Sequence, residues 1–189
     1  MSAAGEGHHA PLPVAEGIPP HVIVLMGVSG SGKTSVAEGL HNLLGWPYQE
    51  GDLLHPQANI DKMQAGIPLT DEDRQPWLER CHAWIAQRLT TGGGGILTCS
   101  ALKRSYRDIL RQGSQKVVFV YLEVPKAILE VRLSRRQGHY MSPTLLPSQL
   151  ATLEEPTPDE HALVVDCEGP PAEVIARVLS QIRYSLLDR

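Results

Sequence analysis

His21-Val22-Ile23-Val24-Leu25-Met26-Gly27-Val28-Ser29-Gly30-Ser31-Gly32-Lys33-Thr34 is the stretch on which the fold turns. Val22 to Met26 is a short, unbroken apolar run rich in β-branched residues, as expected of a strand buried on both faces in a parallel sheet. Gly27 to Thr34 satisfies G-x-x-x-x-G-K-[ST] in full. A strand before it and a helix beginning near Lys33 supply the context that such a phosphate-binding loop requires. Backbone N–H groups turn inward to cradle phosphates, and the glycines let the chain bend and approach closely. The helix N-terminus adds a favourable dipole. Lys33 is expected to reach the β- and γ-phosphates, and the Thr34 hydroxyl to hold Mg²⁺.

Working outward, four further strands are expected at Trp46 to Glu50 (the weakest), Gly95 to Cys99, Val117 to Glu123 and Ala162 to Asp166. Helical periodicity separates them. Ala37, Leu40 and Leu44 share one face, Trp77, Leu78, Cys81, Trp84, Ile85 and Leu89 another, and Val174, Val178 and Ile182 mark a last helix. Thr70 with Asp73 reads as a capping box before the long central helix. Strand and helix alternate, so the fold expected is α/β: a parallel five-stranded sheet flanked by helices, a P-loop NTPase of the nucleoside monophosphate kinase-like kind. Strand order is not readable. Residues 1–20 read as a flexible tail and 21–189 as the kinase domain. Its polar stretch at about 51–76 is the expected substrate-binding segment, and residues 135–158 the expected lid.

The chain has 189 residues, 42% hydrophobic and 20% charged, with a net charge of -4. Without a Lys/Arg run, neither nucleic acid nor an anionic membrane is expected as a partner. Positive charge for phosphates must therefore be gathered locally. Cys81, Cys99 and Cys167 are odd in number and not at metal-ligand spacing, which reads as reduced thiols in a cytoplasmic protein. No run is long enough for a membrane span, and the first twenty residues lack the Arg or Lys of a targeting sequence. His8-His9 reads as part of a solvated tail.

A P-loop alone does not name a reaction. The guanine-binding Asn-Lys-x-Asp of GTPases is absent, and Asp166-Cys167-Glu168-Gly169 fits D-x-x-G only after the last strand, too late for that role. Asp52 follows the second strand, at the sheet end that should lie beside the P-loop. A carboxylate there can take or orient the proton of an attacking hydroxyl; a solvated Asp capping the next helix is the bland alternative. Arg74 could clamp an anion, or sit in a surface ion pair. Ser100 follows the third strand, and Lys103 and Arg107 are four apart, so they are expected to share a helix face and hold a carboxylate, against a merely solvated face. No Walker B Asp ends that strand. Arg132, Arg135 and Arg136 with Gly138-His139 could close over the nucleotide, or be solvated arginines.

The residues together resemble gluconokinases of the shikimate-kinase-like P-loop group. The resemblance rests on Met26 to Lys33, then Gly51-Asp52 with His55-Pro56 and Asn59. Further on it rests on Lys62-Met63, Gly66 to Asp71, and Asp73-Arg74 with Pro76-Trp77-Leu78. Cys99 to Lys103 with Tyr106-Arg107-Asp108 continue it, as do Arg132-Leu133, Arg136 with Gly138-His139, and Gln149 with Thr152-Leu153-Glu154. It spans almost everything except the tail. It implies ATP- and Mg²⁺-dependent phosphorylation of D-gluconate at its 6-hydroxyl, a cytoplasmic homodimer, and a product entering the pentose phosphate route. On matching positions it implies Asp52 as base or orienting carboxylate, with Lys33 and Arg136 also catalytic, and Arg132 at the nucleotide. Asp52, His55, Arg74, Ser100, Lys103, Arg107 and His139 become substrate residues. Thr34 stands where many members have Ser, and Arg135 has no counterpart. Two other readings remain: a kinase of another small acceptor such as shikimate, and a nucleotide-binding regulatory module without turnover.

Overall fold

Five parallel strands form one sheet in the order β2-β3-β1-β4-β5 in this computed structural model, which describes residues 17–135 and 145–187. The strands are β1 (Val22–Met26), β2 (Tyr48–Glu50), β3 (Gly95–Thr98), β4 (Val117–Glu123) and β5 (Leu163–Asp166). The helices are α1 (Lys33–Leu44), α2 (Gln57–Gln64), α3 (Asp71–Thr90), α4 (Arg104–Arg111), α5 (Lys126–Ser134), α6 (Leu146–Thr152) and α7 (Pro171–Leu187). The expected parallel sheet is thus present. The weak second strand is shortened to three residues, because Pro47 offers its carbonyl to Ile96 N–H (3.0 Å) but has no N–H of its own.

β1 occupies the centre, paired with β3 on one side and β4 on the other. Its five residues are all buried. Ile23 and Leu25 point to one face and pack with Val36, Ala37 and Leu40 of α1 and Val174, Val178 and Ile182 of α7. Val22, Val24 and Met26 point to the other and pack with Trp77, Leu78, Cys81 and Ile85 of α3 and with Leu110 of α4. An unbroken apolar run is what a strand covered on both faces requires.

Packing begins earlier than the expected boundary at His21. Ile18 is buried in the α1/α7 layer, since its aliphatic side chain gains more against that core than in water. A Cβ built on Gly17 would lie 4.0 Å from Leu187, so the first and last described turns meet on the rim where β1 starts. Residues 1–16, and with them His8-His9, lie outside the described residues. So does part of the expected lid, including Arg136, Gly138 and His139.

The helix caps follow local chemistry. Thr70 Oγ1 accepts from Asp73 N–H (3.2 Å) while Asp73 Oδ2 accepts from Thr70 N–H (2.9 Å), the reciprocal capping box expected. Lys62 also holds that Asp73 carboxylate, at 2.7 Å. α2 is thereby tied to the start of α3.

Candidate active site

Parallel strands bring five C-terminal ends to one rim, and the loops there build a cleft. A cavity of about 210 Å³ is lined by Ser29, Gly30, Gly32, Lys33 and Thr34 on one side and by Glu50, Asp52, Ser100, Arg132 and Gln149 around it. The phosphate loop, Asp52 and Ser100 are thus brought together as expected. Gly27 must be glycine: its φ is 143°, and a Cβ would fall 2.9 Å from Ser31 Oγ. Its N–H donates to Ser100 O (3.2 Å), which ties the β1 loop to the β3 loop. Val28 does not face the cleft but anchors the loop, packing with Leu102, Leu129, Leu133 and Leu146. Lys33 Nζ lies back over its own loop, donating to Gly27 O (3.0 Å) and Val28 O (3.1 Å).

Asp52 sits in a 3-10 turn (Gly51–Leu54) directly after β2, and does not cap α2, whose N-cap is Pro56. The turn is held from three directions. Gly51 N–H donates to Thr98 Oγ1 (3.2 Å), Trp77 Nε1 donates to Gly51 O (2.8 Å), and His55 N–H donates back to Asp52 O (3.4 Å). Thr98 Oγ1 in turn donates to Glu50 Oε2 (2.6 Å).

Two buried polar atoms in this region have no hydrogen-bond partner among the described residues: Ser31 Oγ in the phosphate loop and Glu50 Oε1. Buried oxygens are left unmet at a cost, so such atoms mark places where a ligand completes the structure. Glu50 was not singled out from the sequence. The spacing Glu50-Gly51-Asp52 at a strand end was the available signal, two carboxylates brought to one rim. With the Thr34 hydroxyl they make an all-oxygen donor set of the kind that suits Mg²⁺. The residues present therefore fit the cation that a P-loop kinase implies.

A second cavity adjoins the first. His55, Arg74, Trp77 and Leu102 are among its walls, and it shares Ser100 and Gln149 with the cleft. His55 stacks on Trp77 with ring centroids 4.3 Å apart, and burial first, then Arg74 and Arg80, pushes its pKa down to about 4. Asn59 Nδ2 contacts both His55 Nδ1 (3.2 Å) and Asp73 O (2.7 Å), so it donates to a neutral ring. Arg74 donates to Leu69 O (2.6 Å) and Tyr106 Oη (3.3 Å).

Lys103 and Arg107 do not share a working face, which corrects the expectation. Lys103 is the N-cap residue of α4, and its ammonium pairs with Asp71 at 2.8 Å. That pairing lowers the Asp71 pKa, helped by Tyr106, and raises that of Lys103. Arg107 lies inside the helix and is only 2% exposed. It is bidentate to Glu160 and also donates to Ala101 O (3.0 Å) and Glu154 O (3.0 Å). It is a buried structural group and not part of either cavity wall.

Arg132 spans the mouth of the cleft, donating to Gly30 O (3.4 Å) and Cys167 O (2.8 Å). Beneath it lies a third cavity of about 210 Å³ with Val36, Cys167, Pro171 and Val174 in its walls. Its apolar sides beside the phosphate loop suit the flat ring of a nucleobase. Arg135 is the C-cap residue of α5.

Comparison with known proteins agrees with this geometry. The AAA domain family model matches residues 22–155. The Gluconobacter oxydans gluconokinase is 52% identical, over 86% of this chain and 92% of that one. The structure of a Sinorhizobium meliloti gluconokinase superposes with a TM-score of 0.80 at 44% identity, covering 91% of this chain and 97% of that one. Acinetobacter baumannii shikimate kinase, solved with shikimate, shares the fold at a TM-score of 0.56 and 22% identity, over 89% and 96% of the two chains.

Proposed function

Because the chain belongs to the gluconokinase family of P-loop kinases, we propose that it transfers the γ-phosphoryl group of ATP to the 6-hydroxyl of D-gluconate. The observation that carries the reading is the pair of adjoining cavities. One has the phosphate loop with Asp52 opposite, and the other holds Arg74 beside neutral His55. A linear polyol acid needs cations at both ends, one set for phosphates and one for its carboxylate. Arg74, which lines the second cavity, supplies the latter.

Transfer proceeds by attack of the 6-hydroxyl oxygen on the γ-phosphorus. That O–P bond forms as the bond to the β,γ-bridging oxygen breaks, and ADP leaves with the electron pair. Asp52 accepts the hydroxyl proton. Inward N–H groups of residues 29–34 and the Lys33 ammonium hold the phosphates and stabilise charge that spreads over the transferring oxygens. Thr34 and Glu50 are the groups that would hold Mg²⁺, which neutralises phosphate charge when bound. Apolar walls of the third cavity hold the adenine, with Arg132 over it. Arg136 and His139 stay with this reading as groups of the lid, which would close the site against water.

A homodimer in the cytoplasm belongs to the same reading. Support comes from the exposed Val164 on β5, a free sheet edge, and from three free, buried thiols. No described helix is long and apolar enough to cross a membrane. Size-exclusion chromatography with light scattering tests the dimer.

The decisive experiment gives purified protein ATP, Mg²⁺ and a panel of sugar acids and shikimate. Formation of 6-phosphogluconate is expected; turnover of shikimate without gluconate would replace this acceptor assignment.

A further inference from the structure

Gln149 stands where the two cavities meet. The nucleotide cleft and the acceptor cavity share two wall residues, Ser100 and Gln149. A phosphoryl group moving between the cavities must pass that seam. Gln149 comes from α6, within the stretch expected to be the lid, and is only 8% exposed. Its Oε1 accepts from the N–H of Ser29, 120 residues earlier, at 2.7 Å. A backbone N–H can be met only by the oxygen of the amide, so this bond fixes which way the group is turned. The two hydrogens on Nε2 are thereby directed away from Ser29. Among the described residues they meet no acceptor, in a residue that is 8% exposed and lines both cavities. A pair of fixed, unspent donors beside the phosphate loop calls for an anionic oxygen.

Resting on the kinase reading above, we propose that Gln149 is a further catalytic residue, whose Nε2 donates to an oxygen of the transferring γ-phosphoryl group while its Oε1 holds Ser29 in place. The same side chain thus aligns the loop and neutralises charge at the seam.

Two variants separate this from a purely structural role. Gln149→Glu keeps an oxygen for Ser29 N–H but removes both donors and adds a negative charge. Gln149→Met keeps the volume and removes both functions. Turnover with gluconate is measured alongside calorimetric binding of ADP and of a non-hydrolysable ATP analogue, with thermal melting as a check on folding. The expected result for Gln149→Glu is a kcat lowered at least 100-fold and analogue binding weakened at least 10-fold. ADP binding, which lacks the third phosphate, should stay within threefold. Gln149→Met should also lower kcat at least 10-fold. The proposal is overturned if Gln149→Glu keeps kcat within threefold of wild type, or if ADP and analogue lose affinity equally in both variants. Should wild-type protein leave gluconate unmodified, the acceptor assignment fails, and the analogue-to-ADP ratio still decides the role of Gln149.

Discussion

Arg107 of α4 and Glu160, 53 residues later, are joined by two parallel hydrogen bonds of 2.6 and 2.8 Å in a site that leaves the arginine 2% and the glutamate 6% exposed. The same guanidinium takes the carbonyls of Ala101, which sits at a φ of 45°, and of Glu154. One buried cation thus holds the loop carrying Ser100 in a left-handed turn that a non-glycine residue adopts only under constraint. Removing one partner strands the other charge, so Arg107→Met should destabilise the protein by ~3–5 kcal/mol. Denaturant titration measures this. Pairing it with Glu160→Gln in a double-mutant cycle should give strongly non-additive losses. An effect confined to the gluconate Michaelis constant, with stability unchanged, would return Arg107 to the substrate site.

His55 makes stability depend on pH in a defined window. In the unfolded chain its imidazole takes a proton near pH 6.5; in the folded chain burial holds this off until about 4. The unfolded state therefore binds more protons between those values, and stability falls as pH drops from 6.5 towards 4. The loss approaches ~3 kcal/mol at most. Comparing the pH slope of unfolding free energy in wild type and His55→Gln isolates the contribution, and equal slopes would reject it.

Asp52 and Glu50 should separate into two roles. Asp52→Asn is expected to lower kcat by ~10²–10⁴ through loss of the proton acceptor, and Lys33→Ala by a comparable factor through loss of charge on the phosphates. Glu50→Gln should act on metal: the Kd for Mg²⁺ in the presence of ATP should rise about tenfold, whereas metal-free ATP binds as before. Titration calorimetry reads this without turnover.

Gly51 is constrained by space. A Cβ there would stand 2.1 Å from Thr98 O, a backbone atom of the neighbouring strand. Gly51→Ala must therefore push the turn off β3, at a cost of ~1–3 kcal/mol, and move Asp52 with it. Expected together are a lower melting temperature and a kcat reduced at least tenfold, because small displacements of a reacting group are expensive.

Arg74→Ala should raise the gluconate Michaelis constant at least tenfold and leave that for ATP within a factor of two, since Arg74 lines the acceptor cavity and not the nucleotide cleft. Steady-state kinetics with each substrate varied in turn checks the split.

Much of this was legible in the chain because its signals are local. Val22–Met26 and the glycines after it specify a strand and a loop within thirteen residues, and Thr70 with Asp73 specifies a helix start within four. The pairings Arg107–Glu160 and Ser29–Gln149 span 53 and 120 residues. Neither is written in any periodicity. Arg107 reads as an anion clamp at the sequence level because its spacing from Lys103 is helical, yet α4 begins one residue after Lys103 and turns Arg107 inward. Glu50 escaped notice because a carboxylate ending a weak edge strand looks solvated until Thr98 is placed beside it.

All five strands run the same way, so the cleft opens on one rim while Gly17 and Leu187 come together on the other. Fastening the protein to a solid support through that back side would leave its mouth facing the bulk liquid. An immobilised catalyst anchored there should keep free exchange of both reactants and products.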